Sequence, residues 1–122
     1  MKITLAVLFL ALSTIANAQF AGDYSGYYEP LKCKRGVWAY EGEFNFTVDS
    51  YRRLQGELEY DPANRSWIYI TGRVARSGRI VFGKELRREK ISVSMKITKQ
   101  GALIGKWRSR YCRGTLAGWN HF

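Results

Sequence analysis

Apolar and polar residues alternate with a period of two along most of the chain beyond residue 18, and no long segment shows a helical period. The clearest run is Trp38-x-Tyr40-x-Gly42-x-Phe44-x-Phe46-x-Val48, whose alternate positions are Ala39, Glu41, Glu43, Asn45, Thr47 and Asp49. This pattern predicts a long half-buried strand with one wet face. Leu54-x-Gly56-x-Leu58-x-Tyr60 repeats it, with Gln55, Glu57 and Glu59 outside. Asp61-Pro62-Ala63-Asn64 reads as a turn into a strand over 67–74, and Ser77-Gly78 as a tight turn into Ile80-Val81-Phe82. Ile91-x-Val93-x-Met95-x-Ile97 and Leu103-x-Gly105-x-Trp107 flank a turn at Lys99-Gln100-Gly101. Tyr24-x-Gly26-x-Tyr28 opens the series and Cys112-x-Gly114-x-Leu116 begins its last strand. Residues 84–90 are too few for an independent helix and read as a charged connection with at most one helical turn.

About eight short antiparallel strands joined by hairpins form a meander. It buries one face by closing into a barrel or by folding into a sandwich. The expected fold is all-β, a small antiparallel meander closed as a barrel, with the sandwich as the alternative. The two cysteines favour closure. Cys33 follows the first strand and Cys112 starts the last. A disulfide needs Cα atoms within about 7 Å, and first and last strands are neighbours in an up-and-down barrel.

In Gly42-Glu43-Phe44, Gly56-Glu57-Leu58, Gly72-Arg73-Val74, Gly105-Lys106-Trp107 and Gly114-Thr115-Leu116, the glycine shares the inward phase. Glycine there lets a strand coil around a small barrel, with aromatic side chains filling the space above it. The alternative is a ligand cavity lined by Tyr28, Phe46, Tyr60 and Trp107. The array from Tyr24-Ser25-Gly26-Tyr27-Tyr28 to Gly105-Lys106-Trp107 resembles the small secreted calycin-like barrels of the avidin and lipocalin type. Its Gly-x-Trp…Cys-x-Gly ending is similar to small exported envelope proteins of proteobacteria. The resemblance implies a secreted barrel and carries over no ligand-binding residues.

Residues 1–18 read as a signal peptide. Lys2 is a short positive region, Ile3 to Ile15 is mostly apolar, and Ala16-Asn17-Ala18 is a cleavage site. The apolar run is shorter than the roughly 20 residues of a membrane-spanning helix. Residues 19–122 then form a single exported domain, periplasmic or secreted, with no transmembrane span after cleavage. In that compartment Cys33 and Cys112 are expected to be oxidised to each other. A free thiol is the alternative.

The chemistry of catalysis is thinly represented. One histidine, His121 beside the chain end, disfavours metal clusters and Ser-His-Asp or Cys-His arrangements. Carboxylate pairs such as Glu57 with Glu59 lie on wet strand faces. No phosphate-cradling glycine loop occurs, no cofactor or metal is implied, and the expectation is a non-enzymatic protein.

Charge changes the picture most. Residues 19–61 carry five Lys/Arg against eight Asp/Glu, whereas residues 62–122 carry fourteen against two. The candidate anion-binding residues are Arg73, Arg76, Arg79, Arg87, Arg88, Lys106, Arg108, Arg110 and Arg113. Guanidinium forks match phosphate and carboxylate groups, and a concentrated basic surface attracts polyanions. The expected partner is an anionic envelope polymer, lipopolysaccharide or an acidic protein. A small apolar-ligand carrier and a structural subunit of an envelope assembly are the alternatives. Lys34, Arg35 and Arg52 read as part of the acidic half.

Overall fold

The computed structural model describes residues 19–36, 41–61 and 66–121, apart from the side chains of Tyr60 and Asp61. Eight antiparallel strands are β1 (Gly22–Cys33), β2 (Gly42–Val48), β3 (Arg53–Asp61), β4 (Ser66–Val74), β5 (Ile80–Phe82), β6 (Ser92–Ile97), β7 (Ala102–Arg108) and β8 (Cys112–His121). A single helical turn, α1 (Glu85–Arg88), lies between β5 and β6. The strands form one sheet in the order β5-β4-β3-β2-β1-β8-β7-β6, so first and last strands are neighbours, as the meander predicts. The sheet curls into a nearly closed barrel. The expected signal peptide, Trp38 and Tyr40, and the turn residues Pro62 to Asn64 lie outside the described residues.

Alternation along the strands sets the core. Every second residue of β2 is buried, from Gly42 through Phe44 and Phe46 to Val48. The interior gathers Tyr24, Phe44, Leu54, Ile70, Val74, Ile97 and Leu103, and no buried polar or charged residue is among those described. Phe44 and Phe46 stack with centroids 5.0 Å apart, and Tyr28 meets Trp107 edge-on at 5.8 Å. The inward glycines accommodate these rings. A Cβ at Gly42 would collide with the Tyr28 ring, and one at Gly114 with the Trp107 indole. Tyr28, Phe46 and Trp107 therefore pack against the opposing strand backbone, with Trp107 only half-buried. Tyr60 belongs to β3, and its side chain lies outside the described residues. The Tyr24 hydroxyl donates to the Phe20 carbonyl at 2.8 Å. Burial raises the Tyr24 pKa, and its hydrogen bond with Asn120 partly opposes that shift.

Cys33 and Cys112 are bonded to each other and are direct cross-strand partners in the β1–β8 ladder. The disulfide joins first and last strands, as expected, and the open junction of the barrel lies elsewhere. The β1–β8 ladder runs from Asp23↔His121 to Cys33↔Cys112. The unsealed seam is between β5 and β6, where one bridge, Arg79↔Lys96, and a hydrogen bond from Ile97 N–H to the Gly78 carbonyl at 2.8 Å make the connection. β5 has only three residues, too few to pair along β6. The helical turn α1 fills the gap. Its Leu86 is 3% exposed, and the Glu85 carboxylate accepts the Thr71 N–H at 2.8 Å and the Thr71 hydroxyl.

A candidate anion-binding face

Outward-facing cations follow one another across the sheet in a chain that the strand register traces. Arg53 pairs with Arg73, and Arg73 sits opposite Val81, two residues from Arg79. Arg79 bridges to Lys96 across the seam. Lys96 faces Ile104, and Lys106 is the next outward residue on β7. Arg108 follows on the same face, pairs with Arg113, and Arg113 pairs with Lys32. All eight side chains are exposed. Diagonal neighbours on a sheet face lie about 7–8 Å apart, so this is one oblique band.

The band unites most of the expected anion-binding residues and separates others. Arg73, Arg76 and Arg79 are at the end of the barrel where the β4–β5 turn lies, whereas Arg108, Arg110 and Arg113 surround the disulfide at the opposite end. Lys106 and Lys96 bridge the distance. Arg87 and Arg88 project from α1 at the seam, where the helix touches β4 and β6. The sequence reading missed Lys32, Lys34, Arg53 and Lys96. Placing Lys34 in the acidic half was a correct reading of chain order and a wrong guide to space. The disulfide and the Lys34 N–H bond to the Tyr111 carbonyl at 2.8 Å bring it to the basic cluster.

Around the clasp, Lys32, Lys34, Arg108, Arg110 and Arg113 line a shallow groove of about 270 Å³ that holds no carboxylate. Tyr111 organises its rim. The Lys34 ammonium lies 5.9 Å and the Arg110 guanidinium 5.2 Å from its ring centroid. Cation–π contact with a half-open ring holds long side chains in place without neutralising their charge. Among the described residues, Arg53 is the one cation of the band in an ion pair, at 2.7 Å from Asp49. That contact holds the Asp49 pKa down, chiefly through the Arg53 backbone N–H and then through the guanidinium. Glu29, opposite Thr115, is the carboxylate nearest the band on β1.

The carboxylates are grouped elsewhere. Glu43, Glu57 and Glu59 point outward from β2 and β3. In the ring of eight strands those lie opposite β6 and β7. The charge split along the sequence thus becomes a charge split across the barrel. Trp67 and Tyr69 on β4 are exposed.

One polar contact was not foreseen. The register puts His121 beside Asp23 and Ser25, and its Nε2 is hydrogen-bonded to Ser25 Oγ. Asp23 instead accepts the Thr47 hydroxyl at 2.9 Å. No group of three or more metal-ligating side chains is present among the described residues. No described helix is long and apolar enough to cross a membrane. No family model matches the chain, and no curated protein matches it significantly.

Proposed function

We propose that this is a non-enzymatic exported binding protein that holds a polyanion of the cell envelope along its basic band. The observation that supports the reading is the register-traced series Arg73, Arg79, Lys96, Lys106, Arg108, Arg113 and Lys32. A line of cations favours an extended anionic chain over a compact small molecule. Arginine adds bidentate contacts to each phosphate or carboxylate it meets. Like charges placed opposite one another destabilise a sheet, and a bound polyanion would relieve that cost at Arg79↔Lys96, Arg108↔Arg113 and Arg113↔Lys32 alike. Lipopolysaccharide phosphates, a teichoic-type polymer or an acidic protein all present such chemistry.

The test compares two variants of equal net charge on a heparin column. One carries Lys106→Gln, Arg108→Gln and Arg113→Gln. The other carries Tyr27→Glu, Asn45→Asp and Ser66→Asp, exposed positions whose register partners include no cation of the band. Surface changes of this kind leave folding within about 0.5 kcal/mol. The band variant is expected to elute at much lower salt and the control close to the parent. Equal shifts would mean that total charge governs retention, and the band would lose its role.

A further inference from the structure

The basic band borders an exposed apolar surface, and the strand register shows how the two join. β1, β8 and β7 are consecutive in the ring of eight strands, so together they present one side of the barrel. Outward residues cross these strands in rows. Lys32, Arg113 and Arg108 form the row nearest the disulfide, and Glu29, Thr115 and Lys106 the next. Tyr27, Ala117 and Ile104 follow, and then Ser25, Trp119 and Ala102. Trp119 is 63%, Tyr27 62% and Ile104 50% exposed, with Ala117 exposed among them. Lys96 flanks Ile104 from β6. At about 3.4 Å per residue, the stretch of β8 from Arg113 to Trp119 is about 20 Å long. Cations thus hold one half of this side and apolar groups the other. Glu29 is the one carboxylate in these rows.

We propose that this side of the barrel docks on a lipid surface with anionic headgroups, Trp119, Tyr27 and Ile104 entering the interfacial layer while Lys106, Arg108 and Arg113 meet phosphates. The inference rests on the reading of the band as an anion-binding surface and names where its anions come from. A hydrophilic polyanion would pair the cations and leave Trp119, Tyr27 and Ile104 in water. A contiguous exposed apolar patch rimmed by polar residues marks a protein or membrane contact. Indole and phenol rings favour the boundary between lipid and water, because one part is apolar and another forms hydrogen bonds. Attachment at that boundary grows with the apolar area buried and with the attraction of cations to anionic lipid. Both terms are present here on three neighbouring strands. A fluid leaflet also conforms to a convex barrel wall. An acidic protein would have to set its own apolar patch beside its carboxylates at the same spacing. A second copy of the chain fits less well. A twofold axis along β8 would lay Arg113 on Arg113 and Arg108 on Lys32, which repel. An axis across the strands would press Lys106 onto Ile104 and desolvate the ammonium with no carboxylate to meet it.

Co-sedimentation of the purified protein with vesicles tests it. One set of vesicles holds phosphatidylglycerol and phosphatidylcholine in equal parts, the other phosphatidylcholine alone. Partitioning is expected onto the anionic set, and at least tenfold weaker onto the neutral one. Ile104→Thr combined with Trp119→Thr should weaken partitioning onto the anionic vesicles at least tenfold and leave elution from heparin unchanged. Threonine suits a strand and both positions are exposed, so the circular dichroism melt should stay close to the parent's. A second measurement does not depend on that variant. Lipids brominated on their acyl chains should quench the tryptophan fluorescence of the parent, and Trp119→Phe should still bind and lose most of that quenching. The Lys106/Arg108/Arg113 variant should lose both heparin and vesicles. Retention on heparin without partitioning onto anionic vesicles would overturn the lipid surface and leave the band standing. A parent held by neither would overturn both. Partitioning unchanged in the Ile104/Trp119 variant would show that charge alone holds the vesicles and would overturn the inference, as would quenching unchanged in Trp119→Phe. A dimer found without lipid and abolished in the Ile104/Trp119 variant would assign this side to a second copy and overturn it equally.

Discussion

Where β1 meets β8, cross-strand pairs run from Asp23↔His121 to a disulfide at Cys33↔Cys112. Where β5 meets β6, a single bridge and one hydrogen bond carry the junction, and a helical turn fills the remainder. Both junctions are crossed by the same basic band. Lys32↔Arg113 is a like-charge pair at the first and Arg79↔Lys96 at the second. At the first, backbone pairing and a covalent bond one position away outweigh the repulsion. At the second, little opposes it except Leu86 beneath α1 and the Glu85–Thr71 bonds. A barrel closed in these two ways should open at one place, the seam, while the clasped side holds.

Breaking the clasp is the largest expected perturbation. Replacing Cys33 and Cys112 together by Ser frees a loop spanning 79 residues of sequence separation. The chain-entropy account puts the loss at about 4 kcal/mol, an upper-end figure. The melting temperature should fall by many degrees, and the parent should show no free thiol when denatured without reductant. Two titratable thiols would refute the clasp. Trp107→Ala should follow. Full burial would place its cost near 3–5 kcal/mol, but the indole is half-buried against Tyr28 and Gly114, so about 2–3 kcal/mol is expected. Its Nε1–H also donates to the Glu29 carbonyl at 3.2 Å, tying β7 across β8 to β1. An unchanged melt would mean that this packing contributes nothing.

The strand pattern was legible because alternation is a local property, and Phe44 to Val48 or Met95 to Ile97 state their inward faces directly. The location of the seam was not legible in the same way. β5 looks like any short strand, and only the register shows that it is too short to meet β6. The polar depression lined by Asp23, Asn45, Thr47, Glu57, Tyr69 and His121 was hidden for a related reason. Ser25, Asn45, Glu57 and Tyr69 each read as an ordinary outward residue of a separate strand. Their alignment is a product of pairing. His121 looked isolated beside the chain end, yet β8 brings it to Asp23. Lys34 was assigned by its neighbours in sequence, whereas a disulfide partner 79 residues away decides its neighbours in space.

The seam side should respond locally. Leu86→Ala removes the buried side chain of α1 and is expected to cost about 2 kcal/mol, the low end for a core leucine because a single turn can relax. Hydrogen exchange should accelerate in β6 before β1. Uniform acceleration would show that the barrel opens as one unit. Acid should loosen the same plug. The Glu85 pKa is held low, chiefly by the Thr71 hydroxyl bond. A carboxyl depressed in the fold contributes stability above its unfolded value and loses it as pH falls through the folded value. Exchange in β6 should therefore rise below roughly pH 4. Glu85→Gln should remove that acid response.

The smallest effect isolates the charge itself. Lys96→Glu turns the bridge to Arg79 from a like-charge into an opposite-charge pair. Cross-strand charge pairs are worth about 0.2–1 kcal/mol, so the variant should be about 0.5 kcal/mol more stable at low salt. Lys96 is exposed, which leaves packing undisturbed. The gain should shrink in high salt as the charges are screened. β6 exchange should slow, and that of β1 should not. The same substitution interrupts the basic band, so heparin should release the variant at lower salt even though the barrel is more stable. Stability and polyanion binding moving in opposite directions would show that the weak junction holds its like charges for binding rather than for folding. A variant no more stable than the parent would remove repulsion as the cause of the weak seam and leave the shortness of β5 as its cause.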